Sequence, residues 1–414
     1  MRGMGNISTS MLGVDEARER VRAVAVGHRA PIEHVALEDC IGRILAENIR
    51  APFDVPGYVN SAMDGFAVRG ADLSSDSETR LRLSGEILAG GTQIPRVEAG
   101  ACVRITTGAP VPPGADTVVM KENTRIDGDG IVIAPGTPHG ANVRPAGEDY
   151  AKGDAALSRG DVLNPSRIAV LASFGLTHAQ LAAQPSAILF TTGDELIEPG
   201  RERAYGQVYD SNRHSIGGLI QQNGAKLLRH ERLRDDPPAL VAALKRAGEQ
   251  ADIIISSGGV SAGEADFLPD IVAEIGKVYF WKVRIKPGMP FLFGQIGKSL
   301  LFALPGNPVS GIATFLTLVR PAIAAMTGAR DPWLALSARL AVTIAKRHGR
   351  TEFLRARLAC NTDGQLVATP LLKQGSGMLR GAADADALIV VPEETCALNA
   401  GDIVKLLPMP GWPG

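Results

Sequence analysis

Residues 252–266 read Asp252-Ile253-Ile254-Ile255-Ser256-Ser257-Gly258-Gly259-Val260-Ser261-Ala262-Gly263-Glu264-Ala265-Asp266, a short apolar run that gives way to glycine, serine and acid. The run 252–256 has the length and composition of a strand buried on both faces. The glycine loop behind it opens a helix expected over 265–275. The same grammar recurs on both sides. Upstream, a strand at 187–190 ends in Thr191-Thr192-Gly193-Asp194-Glu195-Leu196 and leads to a helix at 213–222. A strand at 226–230 then leads to a helix at 238–248. Downstream come a strand at 278–283 and the pair 291–293 and 300–303. The loop Leu304-Pro305-Gly306-Asn307-Pro308-Val309-Ser310 follows, with a helix over 308–326. Alternation at this spacing predicts a doubly wound, mostly parallel α/β domain over 185–328, with helices on both faces.

The flanks have another texture. Between 51 and 146, β-rich runs at 81–83, 101–105, 117–120 and 131–134 alternate with turns such as Gly90-Gly91, Pro112-Pro113-Gly114 and Asp127-Gly128. This predicts an inserted β-rich domain. Beyond Asp331-Pro332-Trp333, candidate strands at 337–344, 353–358, 366–368, 387–391 and 403–406 predict a C-terminal β-barrel or sandwich over 329–414. Helices are expected from Val14 and over 165–175, where Pro165 suits a first turn and Gly175 a stop. The multidomain reading agrees with the length: 414 residues exceed what one core organises.

Forty-three basic and 44 acidic residues give a formal net charge of -1, so no basic field for nucleic acid or for a membrane surface is present. Any anionic ligand must be held by a local site. Cys40, Cys102, Cys360 and Cys396 lie far apart, which argues against a disulfide framework or a zinc site. The first residues lack an apolar signal-peptide core, and no apolar run reaches the ~20 residues of a membrane span. A cytoplasmic protein without nucleic-acid or membrane partners is the expectation.

The chemistry is expected at the carboxyl ends of the parallel strands, where open α/β sheets bind ligands. Gly258, Gly259, Ser261 and Gly306 let backbone N–H groups approach an anion, and helix N-termini add donors. Asp194, Glu195, Glu264 and Asp266 bring carboxylates. Amides beside carboxylates suit a phosphorylated ligand with Mg²⁺. No Gly-Lys-Ser/Thr loop is present, so this is not a Walker A site. Each loop alone also reads as an ordinary strand-to-helix turn; three on one rim favour a site. Lys282, Arg284 and Lys286 alternate in Trp281-Lys282-Val283-Arg284-Ile285-Lys286-Pro287-Gly288 and would form a cationic stripe on one strand face. A solvated edge strand has the same pattern. Asp64 in 60–67, the segment 104–110 and the segment 142–149 each read equally as turns. In the last region Arg355 and Ser376 could hold a tetrahedral oxyanion, or be a strand-face arginine and a surface turn. His34, His178, His214 and His348 have no ligand spacing.

One family gathers these segments. SAMDGFAV, RITTGAPVPPGADTVV, NVRPAGEDYAKGD, TTGDEL, YDSNRHSIGGLIQQNG, RDD, IIISSGGVSAGEADF, WKVRIKPGMPF, ALPGNPVSG, TEFLRARL and QGSG run collinearly from about 61 to 377. Together they resemble the molybdopterin molybdenumtransferases, the MoeA family that includes the E domain of gephyrin. The resemblance implies four parts: a discontinuous linking domain (1–50 and 147–184), the inserted β domain (51–146), an α/β domain like the pterin adenylyltransferases (185–328) and a C-terminal β-barrel (329–414). It implies a homodimer whose cleft pairs the α/β domain of one subunit with the β insertion of the other. It implies Asp64, Thr107, Asp149, Glu195, Asp236 and Asp266 as catalytic, with Asp235 an alternative to Asp236. It also implies Lys282, Lys286, Pro305, Pro308, Arg355 and Ser376 as substrate-binding, and Mg²⁺ on Glu195 and Asp266. The implied reaction inserts molybdate into adenylylated molybdopterin with release of AMP. A pterin adenylyltransferase and cofactor-accepting apoenzymes are the implied partners. The alternatives are a pterin adenylyltransferase-like enzyme, a gephyrin-like scaffold and a tungstate-handling relative. The chain departs from the pattern at Met289, where many members carry a basic residue after KPG.

Overall fold

The computed structural model describes residues 11–234, 236–260, 267–331, 333, 336–409 and 411. The chain divides into two compact units: Met1–Ala46 with Arg159–Asn164 and His178–Gly414, and Glu47–Ser158 with Pro165–Thr177.

Four parallel strands form the centre of the first unit, in the order Lys226–Leu233, Ser186–Thr192, Ile253–Ser257 and Ser299–Leu304. Two antiparallel strands, Leu292–Ile296 and then Lys277–Trp281, extend the last edge. Alternate residues serve opposite cores. Ile253 and Ile255 pack with helices Val14–Val26 and Asn212–Gln222, whereas Ile254 packs with Pro237–Gln250 and Leu268–Ile275. Leu189, Phe302 and Leu304 join the first layer, and Phe190, Leu301 and Ala303 the second. A strand apolar on both faces is stable only when both are covered, which is the reason for the doubly wound arrangement.

One helix, Pro308–Thr327, does reach membrane-spanning length and apolarity, contrary to the expectation of no such run. Its most apolar window is 89% buried, because the helix lies in the first core layer. Gly328 ends it at φ 76, the left-handed conformation that glycine tolerates.

The C-terminal strands close into a barrel. Thr351–Cys360 pairs with both Leu366–Pro370 and Ala387–Val391, and Leu336–Leu340 and Ile403–Pro408 complete the circuit. The expected strand at 278–283 is where the two sheets are joined. It stops at Trp281, Lys282 takes φ 68, and Ile285–Lys286 continues as a parallel neighbour of Thr351–Cys360. The cationic stripe therefore does not form. Lys282 lies over the Trp281 ring at 4.2 Å, Arg284 pairs with Glu393 at 2.5 Å, and Lys286 enters the other sheet. Period-2 geometry requires an unbroken strand, and the turn at Lys282 breaks it.

The second unit is a six-stranded sheet in the order Thr117–Met120, Gly65–Val68, Ala101–Ile105, Thr79–Ile87, Gly130–Ile133 and Thr124–Asp127. Gly65 is required there: a Cβ would come 1.9 Å from the Val119 carbonyl oxygen. The expected helix at 165–175 ends at Ser173, and Gly175 follows at φ 77.

Candidate active site

From Ser186–Thr192 the chain first adds Lys226–Leu233 on one side and then Ile253–Ser257 on the other. This reversal opens a crevice at the carboxyl ends of the strands. Gly193, Gly258 and Gly306 all stand there, each just past its strand. Gly258 has φ 106, and a Cβ on it would lie 2.5 Å from Thr192 Oγ1 and 2.7 Å from the Thr192 carbonyl oxygen, so only glycine fits. The Gly258 N–H donates to the Leu304 carbonyl at 3.0 Å. Asn212 Nδ2 donates to Ser257 Oγ at 2.8 Å and to the Gly306 carbonyl at 2.7 Å. One buried amide thus ties two of the loops together.

A cavity of about 520 Å³ opens beside Gly193, lined also by Asp194, Arg201, Arg232, Arg234 and Asp236. Glu195 is exposed, and its carboxylate lies against Gly193, where a Cβ would come 2.6 Å from Oε2. Asp236 caps the helix Pro237–Gln250 by accepting from the Ala239 N–H at 3.2 Å. Asp235, Ser261, Glu264 and Asp266 lie outside the described residues. Among the described residues no three His, Cys, Asp or Glu side chains converge as metal ligands.

A second cavity, of about 380 Å³, is bounded by the α/β domain and the barrel within the same unit. Lys286 and Met289 reach it from the segment that crosses between the sheets, Pro305 and Asn307 from the third glycine loop, and Arg350, Glu352 and Ser376 from the barrel. Of the residues expected to bind substrate, Lys286, Pro305 and Ser376 therefore meet here. Pro308 instead stands in the first turn of its helix. Lys286 Nζ is 2.8 Å from Glu352 Oε1, and His348 Nε2 is 3.3 Å from Glu352 Oε2. Burial holds the His348 imidazole below its usual pKa, with Glu352 opposing that shift.

Arg355 does not reach this cavity as a free cation. It is 1% exposed. Its Nη1 donates to the Met378 carbonyl at 2.9 Å, and its Nη2 donates to the carbonyls of Lys373 at 2.9 Å and Gly375 at 3.0 Å. Nε donates to Gln374 Oε1 at 3.3 Å. Burial lowers the guanidinium pKa from its usual range. Arg355 is thus the internal brace of the loop that carries Ser376, and Val309 N–H fastens that loop at the Ser376 carbonyl at 3.0 Å. A strand position cannot announce this, because the partners are carbonyls that fold back from about 20 residues later.

The second unit carries the remaining candidates. Asp64 Oδ1 accepts from the Thr107 N–H at 2.8 Å and from Thr107 Oγ1 at 2.9 Å. These two bonds, the backbone one first, hold the Asp64 carboxyl below the usual carboxylate range. Arg104, Thr106 and Lys121 line a cavity of about 510 Å³ with Asp64. Asp149 is exposed and does not line it; its N–H donates to the Val55 carbonyl at 3.0 Å.

Sequence reasoning passed over Arg350, Glu352 and the arginines 201, 232 and 234. Arg350 immediately precedes the strand that carries Arg355, which was the available signal.

The geometry has counterparts among known proteins. Residues 12–175 match the MoeA N-terminal region (domain I and II), residues 188–325 a probable molybdopterin binding domain, and residues 337–409 the MoeA C-terminal region (domain IV). A molybdopterin molybdenumtransferase of Haemophilus influenzae is 36% identical over 402 residues, covering 96% of this chain and 98% of the relative. One from Staphylococcus aureus is 33% identical over 399 residues, covering 95% and 94%. The crystal structure of a molybdopterin biosynthesis MoeA protein from Pyrococcus horikoshii superposes with a TM-score of 0.81 at 28% identity, covering 96% and 99%. With collinear matches across all three regions and relatives of this similarity over the full length, the chain belongs to the molybdopterin molybdenumtransferase family, the MoeA family.

Proposed function

We propose that this chain is a transferase that inserts molybdenum from molybdate into adenylylated molybdopterin, with Mg²⁺-dependent release of AMP, to form the molybdenum cofactor. One observation supports this most: a single loop serves both the glycine rim and the cavity beside the barrel. The Gly306 carbonyl faces Asn212 at the rim, while Pro305 and Asn307 line the cavity with Lys286 and Ser376. A ligand with a phosphoanhydride at the rim would present its other end to an oxyanion one loop away.

In this reading Lys286 and Ser376 hold molybdate oxygens through charge-assisted hydrogen bonds. Gly258 and Gly259 admit the pterin phosphate against the backbone, and Ser261, two residues on in the sequence, is a further candidate donor. Glu195 and Asp266 are the proposed carboxylates for Mg²⁺. An exposed carboxylate on a glycine loop fits, because Mg²⁺ takes one or two protein carboxylates and completes its shell with phosphate and water. When bound, Mg²⁺ supplies positive charge shared with the phosphate oxygens. Asp64, kept ionised by Thr107, acts as an acceptor and not as a proton donor at neutral pH. Asp149 and Asp236 stand as further catalytic candidates. Hydrolysis breaks one P–O bond of the anhydride, with water adding to phosphorus and AMP leaving. The proposal includes the four-part domain division at 50, 146, 184 and 328, a cytoplasmic homodimer, supply of substrate by a pterin adenylyltransferase and delivery of product to apoenzymes.

The test is AMP release from adenylylated molybdopterin by the purified chain, with Mg²⁺ and with or without molybdate. Molybdate-stimulated release that Glu195→Ala abolishes is the expected result. Bound substrate without release would overturn the transferase reading.

A further inference from the structure

Between the barrel strands Leu366–Pro370 and Ala387–Val391 the chain forms a groove of about 520 Å³, lined by Leu371, Leu372, Lys373, Met378, Arg380 and Asp384. Connecting segments run over the surface and are ordinarily polar. This one turns apolar side chains outward: Leu372 is fully exposed, and Met378 and Leu379 are exposed as well. Single exposed apolar residues are ordinary, but a set of them around a depression marks a contact surface. The groove is also preformed. Arg355 holds the carbonyls of Lys373 and Met378 at 2.9 Å each. The short helix Leu379–Ala383 packs so closely on that guanidinium that a Cβ on Gly381 would come 3.2 Å from Arg355 Cζ. A wall fixed in advance spares an incoming ligand the cost of ordering it.

Charge at the rim says what kind of ligand fits. Lys373 has no ion-pair partner among the described residues. Arg380 Nε lies 3.8 Å from Asp384 Oδ2 on a side chain that is 95% exposed, so that pair is solvated and weak. Asp384 Oδ1 also takes Arg357 at 3.3 Å. Three cations therefore stand around one carboxylate. We propose that this groove docks an acidic amphipathic segment of a partner protein, with apolar side chains seated against Leu372 and Met378 and carboxylates over Lys373 and Arg380. An amphipathic segment lays its apolar face into such a groove, and a methionine wall adapts to different apolar side chains. A basic segment would meet its own charge, and a neutral one would leave the rim cations unanswered. The loop that lines the groove through Lys373 and Met378 lines the cavity beside the α/β domain through Gly375 and Ser376. The partner would thus sit one loop away from that cavity without occupying it. This docking surface stands on the groove alone and holds whether or not the proposed function does.

The experiment selects a random-peptide phage library on the intact chain, with counter-selection against the Leu372→Ser variant, and measures the recovered peptides by fluorescence anisotropy. The expected consensus is a run of apolar residues flanked by Asp or Glu. Its affinity should fall by about tenfold when Lys373→Glu and Arg380→Glu are combined, through the reversed rim charges. Leu372, Lys373 and Arg380 are all exposed, so the melting curve of each variant should match that of the wild type. No enrichment on the wild type over Leu372→Ser would overturn the proposal. A basic or uncharged consensus would do the same, as would wild-type affinity in the charge-reversed variant. A Leu372→Ser chain that forms a smaller oligomer than the wild type in sedimentation velocity would assign the groove to a second copy of the chain, and would also overturn it.

Discussion

Arg355 and Asp64 are both charged groups fixed by several hydrogen bonds, yet they sit in opposite surroundings. Arg355 is enclosed in the barrel with main-chain carbonyls and a glutamine amide around it. Asp64 is an exposed carboxylate in the β-rich unit, held by one N–H and one hydroxyl of Thr107. Enclosure commits the first charge to the fold, because four hydrogen bonds of its guanidinium are made to internal acceptors. Exposure leaves the second charge free oxygen capacity for a ligand. Hydrogen bonding therefore means architecture in one place and readiness in the other.

The largest expected effect comes from removing the enclosed charge. Arg355→Ala strands the Lys373 carbonyl, leaves the Gly375 and Met378 carbonyls with only a backbone N–H each, and should cost about 2–3 kcal/mol in urea denaturation. A change well under that figure would mean that water replaces the guanidinium, and would break the contrast. Next comes Glu352, a buried carboxylate whose partner Lys286 faces the cavity. Glu352→Gln should cost about 0.5–1.5 kcal/mol of stability and, by releasing Lys286, tighten molybdate binding; weaker binding in calorimetry would show that the pair is needed intact. Thr107→Val tests the exposed side. It removes a hydroxyl donor, so the Asp64 pKa should rise toward the ordinary carboxylate value, followed by NMR titration, while the denaturation midpoint stays put. A midpoint that falls would make this contact structural as well.

The smallest effect is one of slope. The fold holds His348 below its usual pKa, so the unfolded chain binds more protons than the folded one as pH falls through about 6.5. The neutral imidazole's contribution is present above that pH and is lost below it. His348→Gln should flatten stability between about pH 7 and pH 5; an unchanged slope in denaturation at several pH values would assign the acid sensitivity elsewhere.

Much of the fold was legible because its signals are local. The run 252–256 announced a strand, and Ile253–Ser257 differs from it by one residue at each end. The glycines after three strands foretold a rim, since a backbone that must turn at φ 106 against Thr192 tolerates only glycine. The insertion strands at 101–105 and 117–120 were read at their observed limits. The cationic stripe failed for the opposite reason. Nothing between Trp281 and Lys286 reveals that Lys282 turns to φ 68 and that the chain changes sheets there.

The sequence by itself determined the alternating strands and helices, the glycine loops that end three strands, and the inventory of charges, because periodicity and backbone permissiveness act over a few residues. Only the tertiary structure decided which charges are available. Arg350 and Arg355 lie five residues apart and have the same chemistry. One lines the cavity and the other is sealed behind it, because the loop around Ser376 folds back over Arg355 and supplies the carbonyls that hold it.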